Sequence, residues 1–172
     1  MTLPNILTCI RVLLIPVFMV LAYQEGDGFQ TAALAVYVIA CLTDYVDGKL
    51  ARKNNQVTNF GKFMDPVADK LLVMAALLIF VEDGTIPAWA VAIILGREFI
   101  VSALRMVAAS GGKVLAAGWS GKIKTASTMV GLCCMMVFPL VWLDWTVTAV
   151  IVITTLYSGI EYFVQNWDVI KP

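Results

Sequence analysis

Six apolar stretches, roughly residues 4–23, 31–52, 61–81, 87–109, 122–140 and 145–163, fill most of this chain. Each is close to the ~20 residues that an α-helix needs to cross a hydrocarbon layer about 30 Å thick. In lipid, backbone N–H and C=O groups must be satisfied within the segment itself, so stretches of this kind are expected to be helices. With 60% of its 172 residues hydrophobic and a mean hydropathy of +0.87, the chain lies outside the composition of soluble domains. The expected fold is all-α, a polytopic membrane bundle of six transmembrane helices. No Pro/Gly/Ser-rich linker, repeat or low-complexity run divides it, so a single domain over 1–172 is expected.

Net charge is zero, but the loops alternate in sign. The connections after the first, third and fifth stretches hold Glu25, Asp27, Glu82, Asp83 and Asp144 and no Lys or Arg. Basic residues gather instead at Lys49, Arg52, Lys53 and Lys62, at Lys113, Lys122 and Lys124, and at Lys171. By the positive-inside rule, both termini and the segment around residues 44–69 face the cytoplasm, which predicts a multi-pass protein of the cell inner (cytoplasmic) membrane. The N-terminal stretch lacks a basic leading region and a small-residue cleavage site, so it reads as mature sequence. Cys9, Cys41, Cys133 and Cys134 lie in apolar runs without a C-x-x-C pair and read as small buried hydrophobes. The chain has no His, which argues against a zinc site. No nucleic-acid partner is expected.

Within this greasy background, residues 44–69 read D-x2-D-G-x2-A-R-x8-G-x3-D-x3-D. Helical positions three or four apart share a face, which stacks Asp44 on Asp47 near the end of one helix and Asp65 on Asp69 near the start of the next. The polar linker 53–60 lets those helices run antiparallel and bring the pairs together. Crowded carboxylates raise one another's pKa unless a positive charge intervenes, and divalent cations supply it. The uninterrupted apolar runs 31–42 and 71–81 are too short to span a bilayer, so the aspartate-bearing turns must count within the spans. The acids then sit below the cytoplasmic surface around an enclosed polar cavity, since facing lipid would cost about 2.5–3.5 kcal/mol each. Gly48, Gly61 and Ala51 leave room for a ligand, and the forked guanidinium of Arg52 suits a phosphate. Pro66 fits either the first turn of a helix capped by Asp65 or a local kink.

Further along, Arg97 and Arg105 are eight residues apart and share a helix face, which predicts a cationic pocket inside the bundle. The alternative is an internal ion pair with Glu98 plus an arginine reaching the interface. Lys122 and Lys124 also read as positive-inside anchors. Trp119, Trp142, Trp145, Tyr162 and Trp167 read as an interfacial belt, and the Met-rich run 129–136 as packing.

At every fixed position, the pattern from Asp44 to Asp69 resembles the signature of the CDP-alcohol phosphotransferase family of phospholipid-synthesising membrane enzymes. Outside it, Leu3, Pro4, Asn5, Leu7, Thr8 and Arg11, then Arg97, Glu98, Ser102, Leu104 and Arg105, are similar to bacterial members that use a glycerol phosphate. So are Gly121, Lys122, Lys124 and Thr125, and Ser158, Gly159 and Tyr162. The likeness thus extends over nearly the whole chain. It implies six transmembrane helices, a homodimer and a short N-terminal interfacial helix before the first crossing. It also implies attack by the sn-1 hydroxyl of sn-glycerol 3-phosphate on the β-phosphorus of CDP-diacylglycerol, giving phosphatidylglycerol phosphate and CMP. Oxygen-only ligands select Mg2+ or Mn2+, and two such ions about 4 Å apart would clamp the pyrophosphate. The resemblance assigns Asp44, Asp47, Asp65 and Asp69 to metal and makes Asp69 the base that takes the hydroxyl proton. It assigns Gly48, Arg52 and Thr58, with Asn5 and Thr8, to CDP-diacylglycerol, and Arg105, Lys124 and Arg97 to the acceptor phosphate. Cardiolipin synthases and the inositol-phosphate and serine transferases share the signature and differ in acceptor. In another class, intramembrane carboxylates also occur in divalent-cation transporters.

Overall fold

Helix formation follows the apolar stretches closely. The structure, a computed structural model, describes residues 3–53, 59–113, 115 and 118–169, with side chains at all of these except 3, 4, 27, 44–53, 59–63, 65 and 66. The helices are α1 (Leu3–Ala22), α2 (Asp27–Lys53), α3 (Asn59–Glu82), α4 (Ala88–Ser110), α5 (Trp119–Val137) and α6 (Val141–Gln165). A 3-10 turn, Trp167–Val169, follows, and no strand occurs among the described residues.

Local chemistry explains the breaks. After α4, Gly112 takes φ +76°, a left-handed conformation that glycine adopts without a Cβ clash, and the Gly111, Gly112 and Lys113 N–H groups close back on carbonyls of the last turn. Pro139 forces Phe138 out of the helical region, to φ −124° and ψ 89°, which ends α5. The connection to α6 is therefore 138–140, earlier than the sequence pattern suggests. Residues 3–22 form one continuous helix where the resemblance implied a short interfacial helix ahead of the first crossing. No Gly or Pro lies between Asn5 and Ile15 to interrupt the hydrogen-bond ladder, and Pro16 is accommodated inside the helix.

The helices group into two compact units, Met1–Glu82 and Asp83–Pro172. In the first, α1 packs on both α2 and α3. Its buried stripe is Asn5, Thr8, Arg11, Ile15 and Phe18, a three-and-four spacing that keeps one face inward. Phe18 meets the buried Tyr37 of α2 with ring centroids 5.6 Å apart. Ala33 and Ala40 flank that tyrosine, and Ala68, Leu72, Ala75, Ala76 and Ile79 form the inner face of α3. In the second unit α6 packs on both α4 and α5, and Val101, Leu104 and Tyr162 form a buried cluster with Leu115 and Val169 against it.

Among the described residues, two helices are long and apolar enough to cross a membrane, through Asn5–Ala22 and Val141–Gln165. Only 28% and 33% of those stretches are buried, so most of their apolar side chains face outward, as they would toward lipid. Gly28–Thr43 is a shorter apolar stretch. The remaining helices are interrupted by charges, such as Arg97, Glu98 and Arg105 in α4 and Lys122 and Lys124 in α5.

Candidate active site

The four signature aspartates fall on two consecutive helices of the first unit, Asp44 and Asp47 in the C-terminal part of α2 and Asp65 and Asp69 in the first half of α3. Gly48, Ala51 and Arg52 occupy the last turns of α2, and Gly61 the first turn of α3. Of these residues only Asp69 has a described side chain, and Thr58 lies outside the described residues altogether. No group of three or more His, Cys, Asp or Glu able to hold a metal occurs among the described residues, a set that excludes the side chains of Asp44, Asp47 and Asp65.

Asp69 is tied across the unit. Its Oδ1 accepts a hydrogen bond from Arg11 Nη1 of α1 at 2.8 Å. The arginine side chain is 0% exposed and the aspartate's 37%. A guanidinium taken fully out of solvent needs an anion, so this pair fixes α1 against α3 at the level of the acid. Asn5 and Thr8, expected as CDP-diacylglycerol contacts, lie on the same buried stripe as Arg11. The structure therefore brings Asn5, Thr8, Arg11 and Asp69 to one side of α1. Arg11 carried no site assignment from sequence, although a lone cation inside the first apolar run was the available signal.

The three cations expected for the acceptor phosphate lie in the second unit, and each is engaged. Lys124 is buried and donates from Nζ to Glu98 Oε1 at 2.5 Å. Arg97 Nη1 donates to the same oxygen at 3.2 Å, while its Nη2 donates to Ser158 Oγ at 2.5 Å. Two glycines make room for that arginine. A Cβ on Gly159 would come within 3.2 Å of Arg97 Cγ, and one on Gly121 within 3.8 Å of Nη2. One turn beyond Ser158, the Tyr162 hydroxyl accepts from Arg105 Nε at 3.0 Å, with the guanidinium 5.3 Å from the ring centroid. Lys122 differs from Lys124, being exposed with its Nζ 4.7 Å from the Trp119 ring centroid. The structure thus joins Arg97 and Lys124 through Glu98, and Arg97 and Arg105 to successive turns of α6. Sequence reading saw Glu98 only as an ion-pair partner, assigned no role to Ser158 and placed Tyr162 in an interfacial belt, whereas its ring is buried against Val101 and Leu104.

The profile of the CDP-alcohol phosphatidyltransferase family matches residues 1–157. The chain belongs to that family. It is accordingly an enzyme, a phosphatidyltransferase, and the match runs through both units. A Bacillus subtilis (strain 168) relative is 44% identical over 187 residues, covering 98% of this chain and 97% of its own. One from Pseudomonas fluorescens is 39% identical, covering 99% and 93%, and one from Escherichia coli (strain K12) is 40% identical, covering 92% and 91%. All three bear the name CDP-diacylglycerol--glycerol-3-phosphate 3-phosphatidyltransferase.

Proposed function

We propose that this phosphatidyltransferase moves the phosphatidyl group of CDP-diacylglycerol to the sn-1 hydroxyl of sn-glycerol 3-phosphate, releasing phosphatidylglycerol phosphate and CMP. The observation that carries the acceptor is the name shared by relatives that align with more than nine-tenths of this chain and of their own. Asp44, Asp47, Asp65 and Asp69 would hold two divalent cations. The donor set fits such ions, being all carboxylate oxygen, which suits hard dications over zinc or copper, and Asp69 already engages one cation in Arg11. Bound there, Mg2+ or Mn2+ would neutralise the diphosphate and the charge growing on departing CMP.

The protein's own residues supply the rest. Asp69 takes the proton from the sn-1 hydroxyl as that oxygen attacks the β-phosphorus, and the CMP oxygen leaves with the bonding pair. Arg11, by holding Oδ1, orients the carboxylate for that transfer. Gly48, Arg52, Thr58, Asn5 and Thr8 receive the nucleotide end of the donor. Arg97, Arg105 and Lys124 bind the acceptor's phosphate by charge-assisted hydrogen bonds. All six helices cross the cytoplasmic membrane, with both termini and the aspartates on the cytoplasmic side, where the water-soluble substrate and product exchange. The working form is a homodimer of single-domain chains spanning 1–172.

The test is direct. Purified protein given CDP-diacylglycerol and Mn2+ is offered glycerol 3-phosphate, phosphatidylglycerol, inositol phosphate and serine in turn. CMP release is expected with glycerol 3-phosphate, and its absence there would overturn the assignment of acceptor.

A further inference from the structure

Glu98 is the acid on which two of the second unit's cations converge, and the proposed chemistry gives it no task. Its Oε1 accepts from Lys124 Nζ at 2.5 Å and from Arg97 Nη1 at 3.2 Å, so side chains of α4 and α5 converge on a single oxygen. The side chains are 5% exposed for Lys124, 12% for Arg97 and 22% for Glu98, deep enough that the cations are strongly disfavoured without an anion. Two cations aimed at one oxygen is also the arrangement that a phosphate oxygen would use. The guanidinium keeps capacity for a ligand, because its buried Nε has no partner among the described residues.

We propose that Glu98 is a specificity-determining residue for the acceptor, an internal anion that occupies Arg97 and Lys124 until a phosphate arrives and that limits how much negative charge the pocket takes. The inference rests on reading Arg97, Arg105 and Lys124 as the phosphate-binding group. With Glu98 set against them, Arg97, Arg105 and Lys124 keep an excess of positive charge, which suits a phosphomonoester dianion better than a phosphodiester monoanion. The pocket therefore favours an alcohol that carries a terminal phosphate. Competition sets the sign of the test. A phosphate must displace or share the contacts that Glu98 makes, so removing the carboxylate tightens phosphate binding. A carboxylate that served only to hold the two cations in place would do the opposite when removed.

The experiment uses the full chain in detergent and titrates inorganic phosphate by calorimetry against wild type, Glu98→Gln and Glu98→Asp. Glu98→Gln is expected to bind phosphate about tenfold more tightly, as loss of a full charge at close range requires. Glu98→Asp, with its carboxylate drawn back, shifts the same way by less. In turnover assays KM for glycerol 3-phosphate falls, and kcat falls as well because product is also held more tightly. Unchanged or weaker phosphate binding in these variants overturns the proposal. If Glu98→Gln does not fold, the sign of the change in Glu98→Asp decides alone. Arg97→Gln and Lys124→Gln separate the two levels of the argument. Should they bind phosphate as wild type does, the phosphate-site reading itself falls. Should they lose it while the Glu98 variants fail to tighten, only the role of Glu98 falls.

Discussion

Arg11 lies wholly buried in α1 with Nη1 on Asp69 Oδ1, so its truncation removes a charged donor from a carboxylate that is itself partly shielded. Arg11→Met is expected to lower the thermal unfolding midpoint in detergent by the equivalent of about 1–3 kcal/mol. Arg11→Lys should recover part of that loss, because an ammonium restores the charge without the planar fork. Equal midpoints for wild type and Arg11→Met would show that the pair adds nothing. For the acids, Asp69→Asn is expected to retain Mn2+ and nucleotide binding while losing turnover, whereas Asp44→Asn loses affinity for the metal itself. Equilibrium Mn2+ binding followed by spin resonance checks this, and parallel losses in both variants would contradict separate roles. Sequence spacing was enough to single out these aspartates, since three and four residues is a helical period. It could not reveal the Arg11–Asp69 bond, which joins residues 58 apart. Nor could it separate Lys122 from Lys124, two positions apart and therefore on different sides of α5, one exposed and one buried.

At the scale of elements, the α5–α6 contact depends on the absence of a side chain. Gly131 is buried where a Cβ would lie 2.7 Å from Val147 Cγ1 and 3.2 Å from Ile151 Cδ1. Gly131→Ala must push the helices apart or strain both side chains, with an expected loss of about 1–3 kcal/mol. The double change Gly131→Ala, Val147→Ala should restore much of it, and denaturation of the four proteins in one cycle measures the coupling. The helices themselves were legible because apolar run length and turn residues act locally. Which faces meet was not, since α5 and α6 are matched by a glycine opposite a valine and an isoleucine, a fit of shapes that no periodicity encodes. The same holds for Arg97, whose path past Gly121 and Gly159 needs three helices at once.

For the whole molecule, the predicted chemistry is divided by sequence: the aspartates belong to Met1–Glu82 and the acceptor cations to Asp83–Pro172. The alternating loop charges predict which connections share a side of the membrane, and cysteine labelling tests that directly. On a background with the native cysteines replaced, Asp83→Cys should react with a membrane-impermeant maleimide added to intact cells. Lys113→Cys should react only in inverted vesicles. Reaction of both from the same side would refute the crossing of α4 and with it the six-crossing topology. Composition could announce a membrane protein, but the burial of Lys124 against Glu98 depends on packing between helices.

That burial bears on how the protein is made. Among the described residues α4 and α5 do not qualify as membrane spans on apolarity alone, and their charged side chains each resist entry into hydrocarbon by about 2.5–3.5 kcal/mol at the bilayer centre. The Glu98–Lys124 contact lets one helix neutralise the other. On the six-crossing reading the two are expected to enter the bilayer together as a hairpin, with α4 waiting on the synthesis of α5. A nascent chain halted between them would leave α4 unintegrated.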